Sequence, residues 1–437
     1  MSVTIIALEA HDVRFPTSTQ LHGSDAMNPE PDYSAAVCVL KTSADGLEGH
    51  GLAFTIGRGN DICVAAIKAL APFVVGLTLE EIQADMGAFW RRVVGDSQIR
   101  WLGPEKGVVH LAGAAVINAA WDLWGKAAEK PVWRLVADMS PREIVRLIDF
   151  RHITDVLAPE EALDRLTDSV RGLETRLARM RERGLAAYDT TPGWLGYSDE
   201  RLIQLCREAA EKNWAGVKLK VGQDRKRDLE RCAIARETLD PRQRLMIDAN
   251  QVWEVSDAIA HVKALAGVNP WWIEEPTSPD DILGHRKIAD AVRPIRVATG
   301  EHCHNRVMFK QFLEADAIDV VQVDACRLGG LNENLAVLLL AAKYDKPVCP
   351  HAGGVGLCQY VQHIGAIDAL VIGGERDDRM IEHAGHLHEH FVTPLDVRDG
   401  AYRPTSAPGF SVEFRAESVA LYAYPDGAYW ARRRADA

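Results

Sequence analysis

Paired cysteines are absent from this sequence. Its cysteines are scattered without any C-x-x-C spacing, so nothing in their order suggests a disulfide framework. A chain of 437 residues can bury a large apolar core and does not need such cross-links. We therefore expect all eight to be reduced thiols: Cys38, Cys63, Cys206, Cys232, Cys303, Cys326, Cys349 and Cys358.

Long apolar runs are missing as well. The first residues lack the basic start and the apolar core of a signal peptide. Runs such as residues 335–342 are too short to cross a bilayer. These two absences favour a soluble cytoplasmic protein.

Positive charge is in deficit. Lysine and arginine number 50 against 62 acidic residues, which gives a formal net charge of -12. Such a surface repels a phosphate backbone and an anionic membrane, so we expect neither nucleic acid nor membrane as a partner. A small anionic substrate stays possible, because a bound divalent cation and local lysines can reverse the potential inside one pocket.

The pattern of strand-like and helical stretches divides the chain into three parts. Residues 1–145 mix strand-like and amphipathic helical stretches, which is typical of an α+β domain, and include polar loops at residues 21–33 and 55–61 that could cover a pocket. Residues 146–395 are predicted to form a second domain with a charged, solvated helical insertion near residues 159–184. We expect residues 396–437 to pack back on the first domain.

Short β-branched runs alternate with helical stretches after residue 185. Such runs are typical of strands buried on both faces of a parallel sheet. Six successive units favour a closed α/β barrel, although an open doubly wound sheet would show a similar alternation. The predicted strands are Ala215–Val221, Arg244–Asp248, Trp271–Glu275, Ile295–Glu301, Ile318–Asp324 and Lys346–His351.

One ionisable residue lies at the C-terminal end of each of these strands. The intervals between them are 23 to 28 residues, about the length of one strand, one helix and two loops. In a barrel these strand ends converge on one mouth, and six compatible groups in register are hard to explain as solvated or salt-bridged charges. The residues are Lys220, Asp248, Glu274, Glu301, Asp324 and His351.

The chemistry of this set suggests a metal-assisted acid/base site. Three carboxylates, Asp248, Glu274 and Glu301, suit a hard divalent ion and favour magnesium over zinc. Lys218 and Lys220 share one strand face, so we predict that each lowers the pKa of the other and that one can act as a base near neutral pH.

A second base is predicted on a neighbouring strand. Asp324 would hold His351 in one tautomer and raise its basicity, which makes His351 a base or acid opposite Lys220. Abstraction of a proton from a carbon acid is the reaction that such a site supports. Two weaker patterns are assigned structural roles: the histidines of residues 383–390 are placed on a surface helix or loop, and the glycines of residues 353–356 in a helix-start turn.

These motifs resemble the mandelate-racemase branch of the enolase superfamily. The matching segments are Lys218–Lys220, Asp248–Asn250, Glu274–Pro276, Gly300–Glu301, Asp324 and His351. The resemblance implies a modified (β/α)7β barrel, similar to a TIM barrel, under an α+β capping domain. It also implies one Mg²⁺ per subunit and a homo-oligomer.

Longer segments across nearly the whole chain resemble the L-fuconate dehydratases of that branch. They include residues 23–27, 54–61, 100–107, 192–197, 272–281 and 350–358. The resemblance implies the Mg²⁺-dependent loss of water from L-fuconate, through an enediolate, to give 2-dehydro-3-deoxy-L-fuconate. It implies substrate contacts from Gly23, Ser24, Asp25, Tyr33, Lys218, Asn250, Glu301, His351, Ala352, Gly353 and Glu382.

Two residues differ from the family pattern, and two alternative functions stay open. Val252 and Asp189 differ from the family pattern, and we expect them to affect the choice of substrate. Dehydration or C2 epimerisation of another aldonate is the first alternative, because bases on both faces permit either reaction. The second is a binding protein that kept the fold without the activity, which should have lost a ligand or a base. This sequence retains all of them.

Overall fold

The N-terminal part of the chain forms a three-stranded antiparallel sheet covered by helices. The computed structural model describes residues 2–436. The strands are ordered β1-β2-β3, and the 21-residue helix α4 packs on them with most of its side chains buried. A Cβ atom at Gly51 of β3 would lie 2.0 Å from the backbone oxygen of Ala115, so glycine is what allows the helix to approach so closely. The elements are β1 Ile5–Arg14, β2 Ser34–Thr42, β3 Glu48–Thr55, α1 Asn60–Ala69, α2 Leu79–Ala84, α3 Met86–Val94, α4 Gly107–Ala127, α5 Val132–Ala137 and α6 Pro141–Leu147.

Two helices, α7 Pro159–Val170 and α8 Leu173–Arg183, follow this part of the chain. The predicted helical character of residues 159–184 is therefore present in the structure. Each helix buries only two side chains, among them Leu166 of α7 and Leu177 of α8, and leaves most of its charged residues exposed.

A closed barrel of parallel strands follows. Strands β4 to β9 are hydrogen-bonded in chain order, residue Val348 pairs with Val321, and β10 pairs with β4, which closes the cylinder. The elements are β4 Leu185–Gly193, α9 Asp199–Glu211, β5 Gly216–Lys220, α10 Arg225–Thr238, β6 Arg244–Asp248, α11 Val255–Leu265, β7 Trp272–Glu274, α12 Ile282–Val292, β8 Arg296–Thr299, α13 Arg306–Glu314, β9 Val320–Val321, α14 Leu331–Lys343, α15 Leu357–Ile367 and β10 Ile381–His383.

This architecture confirms the predicted α/β fold, a (β/α)7β barrel with an α+β cap. Six of the eight strand positions match the predicted strands. The first and the last, β4 and β10, were not among them.

The C-terminal segment contacts both parts of the molecule. Its elements are β11 Val397–Arg398, β12 Ala401–Tyr402, α16 Ala416–Tyr422 and α17 Ala428–Ala435. Strand β12 pairs with the start of β4, while Tyr424 N donates to Asp12 O of β1 at 2.8 Å and Trp430 Nε1 donates to Arg14 O at 3.0 Å. The domain boundaries given above stay a prediction. Over residues 2–436, no helix is both long and apolar enough to span a bilayer.

A buried ion cluster joins the cap to the barrel. The side chain of Arg306, at the start of α13, is 0% exposed. Its Nη1 atom lies 3.0 Å from Glu333 Oε1 of α14 and 3.1 Å from Glu105 Oε2 in the loop before α4. Removing one member of such a cluster leaves buried charges without a partner, which costs far more than losing a surface pair.

We therefore predict that Arg306→Met lowers the free energy of unfolding by about 3–5 kcal/mol. Urea denaturation followed by circular dichroism measures the change. Arg171→Met is the matched control, because the Arg171 side chain is 78% exposed, and it should leave the midpoint unchanged. Equal midpoints for the two variants would contradict this role of Arg306.

Candidate active site

The register of the barrel strands brings the predicted ionisable residues together. Lys220 pairs with Asp248 across β5 and β6, and Asp248 pairs with Glu274 across β6 and β7. Glu301 follows β8 after Gly300, whose φ is +148° and whose Cβ atom, if present, would lie 2.0 Å from the backbone oxygen of Gln322. Only glycine allows this close approach, so the chain delivers Glu301 to the same mouth.

Three carboxylates form the centre of the site. Asp248 and Glu274 are 0% exposed and Glu301 is 7% exposed, and their ligand oxygens lie within 4.8 Å of one another. Burial raises the pKa of Glu274 well above its usual value, against the lowering effect of the Lys218 ammonium. Glu301 Oε2 is buried without a hydrogen-bond partner. An all-oxygen donor set with an unpartnered oxygen fits a hard divalent ion such as Mg²⁺.

The two lysines of β5 are held by these carboxylates. Lys220 Nζ lies 2.5 Å from Asp248 Oδ2, and Lys218 Nζ lies 2.6 Å from Glu274 Oε1 and 2.8 Å from Glu382 Oε1. Burial acts to lower the pKa of Lys220, but the carboxylates, Asp248 above all, outweigh it and raise the pKa above its ordinary value. Lys218 does lower the pKa of Lys220, as predicted, but the carboxylates outweigh this effect, so these contacts do not give a lysine with a pKa near neutral pH. The reason is that each ammonium faces carboxylates from neighbouring strands.

Asp324 and His351 form the predicted pair. His351 Nδ1 lies 2.8 Å from Asp324 Oδ2, and Asp324 Oδ1 accepts hydrogen bonds from the backbone N–H groups of Cys326 and Arg327, both at 2.7 Å. The other ring nitrogen, Nε2, lies 3.4 Å from Glu301 Oε2. Burial lowers the pKa of His351, but Glu301 and Asp324 outweigh it and raise the pKa to about 10. Asp324 thus fixes the ring and leaves Nε2 facing the carboxylates.

A cavity of about 320 Å³ lies between the cap and this mouth. Most of the predicted site residues line it, which brings residues from distant parts of the chain to one place. They are Gly23, Asp25, Tyr33, Lys220, Asn250, Glu301, Asp324, His351, Gly353 and Glu382.

Three predicted substrate contacts lie behind the cavity wall. Ser24 Oγ donates to Leu21 O at 2.7 Å and accepts from Gly196 N at 2.8 Å, so it holds the cap loop against the barrel. Lys218 is engaged by the carboxylates described above. Ala352 N donates to Glu382 Oε2 at 2.8 Å. These contacts support the residues that line the cavity, and direct substrate contact from any of the three stays a prediction.

The structure adds residues that sequence reasoning missed. Arg58 lies in the predicted covering loop of residues 55–61, while His302 and Arg327 lie one and three residues after predicted site residues; all three line the cavity. Trp194 lines it as well and follows β4, a strand that had not been predicted. Trp194 lies in the segment 192–197 that carries the family resemblance, but no pattern within that segment marked it as a residue of the cavity.

The two departures from the family pattern lie outside the cavity lining. Asp189 Oδ1 accepts hydrogen bonds from the N–H and Oγ1 of Thr191 at 3.0 and 2.6 Å, which fixes the backbone beside Thr190. Val252 packs against the apolar core. Any effect of either residue on substrate choice would therefore be indirect.

The placement of the histidines of residues 383–390 on the surface is corrected. Residues 381–383 form β10, the strand that closes the barrel. The ring of His386 packs against Trp194 at 4.9 Å and Tyr33 at 5.2 Å between ring centres. His386 therefore packs behind two residues that line the cavity, Tyr33 and Trp194, and His383 lies in the barrel strand β10.

Comparison with known proteins identifies the family. Residues 24–137 match the model of the mandelate racemase/muconate lactonizing enzyme N-terminal domain, and residues 201–419 match the enolase C-terminal domain-like model. The chain therefore belongs to the mandelate racemase/muconate lactonizing enzyme family of the enolase superfamily.

Individual relatives within this family match nearly the whole chain. Mitochondrial enolase superfamily member 1 of Xenopus laevis is 53% identical over 98% of this chain and 96% of that protein. L-galactonate dehydratase of Hypocrea jecorina is 52% identical over 97% of this chain and 94% of that enzyme. The crystal structure of human mitochondrial enolase superfamily member 1 is 50% identical, covers 99% of both chains and has a TM-score of 0.97.

A more distant solved structure shares the fold. L-talarate/galactarate dehydratase from Salmonella typhimurium LT2, liganded with Mg and L-lyxarohydroxamate, has a TM-score of 0.73 at 23% identity and covers 95% of this chain and 92% of that chain. The similarity to L-galactonate dehydratase described above places the chain among the acid-sugar dehydratase-like members of the superfamily.

Because the three carboxylates repel one another, we predict that Mg²⁺ stabilises the fold. At a concentration 100 times its dissociation constant the gain is about 2.7 kcal/mol, seen as a higher melting temperature in differential scanning calorimetry. Asp248→Asn should abolish this increase. Asp257→Asn, an exposed substitution on α11, should retain it. A melting temperature that does not respond to Mg²⁺ in the unsubstituted protein would show that the cluster holds no such ion.

Proposed function

We propose that this protein is a Mg²⁺-dependent dehydratase of six-carbon sugar acids, with L-fuconate as its substrate. The observation that carries the proposal is the position of Lys220 and His351, each in contact with the Asp248, Glu274 and Glu301 cluster. A carbon acid bound at that cluster would have one base on each side. A cluster with both bases retained also argues against a binding protein that has lost its activity.

The reaction follows from the residues in place. Bound to Asp248, Glu274 and Glu301, Mg²⁺ would supply electrostatic stabilisation of the negative charge that develops on a substrate carboxylate. Glu301 is the main cause of the raised pKa of His351, so neutralisation of Glu301 by the cation would leave Nε2 unprotonated. His351 Nε2 then removes the C2 proton, and Asp324 holds the ring in the required tautomer and stabilises its protonated form. The C2–H electrons form the enediolate.

Elimination then completes the reaction. The C3–O bond breaks, the protonated His351 gives its proton to the departing hydroxyl group, and water leaves. The resulting enol becomes the 2-keto-3-deoxy acid when C3 takes up a proton. Lys220 serves the opposite face of the substrate, and its contact with Asp248 fixes its position.

The cavity wall supports a substrate of this size and character. Polar groups from Asp25, Tyr33 and Asn250 line it together with apolar side chains of Phe54 and Trp194. The polar groups can bind the hydroxyl groups of a substrate, and the apolar side chains suit the methyl end of a 6-deoxy sugar acid.

L-galactonate is the second candidate substrate. The observation in its favour is the 52% identity to L-galactonate dehydratase of Hypocrea jecorina. L-fuconate is 6-deoxy-L-galactonate, so the two acids share the configuration of every carbon and differ only at C6. Epimerisation at C2 is the alternative reaction, since both faces carry a base. One Mg²⁺ per subunit, a homo-oligomer and a cytoplasmic location complete the proposal.

We predict that the protein with Mg²⁺ converts L-fuconate to a 2-keto-3-deoxy acid, detected as its semicarbazone. A panel with L-galactonate, galactarate and the C2 epimer of L-fuconate defines the substrate, and deuterium incorporation without elimination would reveal epimerisation. EDTA should abolish turnover. Lys220→Ala should lower kcat by at least about 100-fold, the usual contribution of a general acid or base.

The outcomes separate the alternatives. Faster turnover of L-galactonate than of L-fuconate would reassign the substrate and leave the chemistry intact. Turnover that survives both EDTA and Lys220→Ala would contradict the mechanism itself.

A further inference from the structure

Glu301 stands between two groups of side chains. It belongs to the carboxylate cluster with Asp248 and Glu274, and also to a second group in which the ligand atoms of Glu275, Glu301 and His302 lie within 4.8 Å of one another. Its two oxygens face different histidines: Oε2 lies 3.4 Å from His351 Nε2, and Oε1 lies 3.4 Å from His302 Nδ1. The site described above uses only the first of these histidines.

The backbone of Glu301 is already fixed by other contacts. The backbone of Gly300 packs closely against that of Gln322, and Arg327 Nε donates to Glu301 O at 3.1 Å. The side-chain torsions are therefore what is left to determine where the carboxylate points. A ligand carboxylate of a metal site needs such fixing, because partners of the ligands affect the metal almost as much as the ligands themselves.

His302 lies where it can fix the orientation of the Glu301 carboxylate. His302 Nδ1 lies 2.8 Å from Glu275 Oε1, and Glu275 is 0% exposed. Gln251 Nε2 donates to the other oxygen, Glu275 Oε2, at 2.9 Å, and also contacts His302 Nδ1 at 2.7 Å. His302 Nδ1 thus lies beside two carboxylate oxygens and the Gln251 amide, so three side chains fix the position of the ring.

The backbone around this group is unusual. Gln251 has φ +69° and Glu275 has φ +41°, left-handed backbone values that residues other than glycine seldom adopt. Strained residues of this kind collect at functional sites, where the surrounding contacts hold them. Gln251 and Glu275 follow the ends of β6 and β7, the strands that end at Asp248 and Glu274.

We propose that His302, held by Glu275 and Gln251, is a positioning residue that orients Glu301 for binding the divalent cation. The ring fills the space beside the carboxylate, with Nδ1 next to both Glu275 and Glu301, and so prevents Glu301 from turning away from Asp248 and Glu274. This inference rests on the proposed metal site but not on the identity of the substrate.

The test compares two substitutions that differ in where they place a nitrogen. His302→Asn puts an amide nitrogen close to the position of Nδ1, whereas His302→Gln puts it close to the position of Nε2. Mn²⁺ serves as the probe, and its dissociation constant is measured by electron paramagnetic resonance in the absence of substrate. We expect Mn²⁺ binding to weaken by about 10- to 100-fold in His302→Gln and in His302→Leu, and to be largely restored in His302→Asn.

The controls keep the result interpretable. His261→Leu, on the outer helix α11, should bind Mn²⁺ as the unsubstituted protein does. Circular dichroism establishes that each variant is folded; if His302→Leu is not, the Asn and Gln pair still decides the question. Equal Mn²⁺ affinity in His302→Asn and His302→Gln would overturn the proposal. A protein that binds Mn²⁺ as proposed but turns over no sugar acid would contradict the proposed function and leave this inference standing.

Discussion

Mutual repulsion among three buried carboxylates is the constraint on which the site depends. Asp248, Glu274 and Glu301 lie too close together to stay ionised without positive charge nearby. The chain supplies part of that charge through Lys218 and Lys220, which both contact the cluster. In our account a divalent cation bound to the three carboxylates supplies the rest.

The cap turns this cluster into an enclosed site. Without it the barrel mouth would be open to water, and the electrostatic effects of the cluster would be weaker. The buried Arg306 cluster joins the cap to the barrel, while the close contact between Gly51 and α4 holds the sheet and helix of the cap together. Tyr33 of the cap and Trp194 of the barrel line the same cavity, so the cavity belongs to neither part alone.

The fold and the convergence of the ionisable residues could be predicted because both follow from a repeated pattern. One ionisable residue lies at each of six strand ends, from Lys220 to His351, and this repetition is more informative than any single motif. Strand β10 has only three residues, and Trp194 follows a strand with no ionisable end, so the repeated pattern marked neither. The raised pKa of Lys220 was not predicted, because the carboxylates that cause it come from other strands.

In the proposed mechanism His351 and Lys220 act on opposite sides of a carbon acid. Exchange of the C2 proton of L-fuconate with D₂O, followed by NMR, tests this arrangement when His351→Asn is compared with the unsubstituted protein. We predict that exchange at C2 is lost in His351→Asn, while the variant still binds Mg²⁺. Exchange at the unsubstituted rate in His351→Asn would contradict the assignment of His351 as the base.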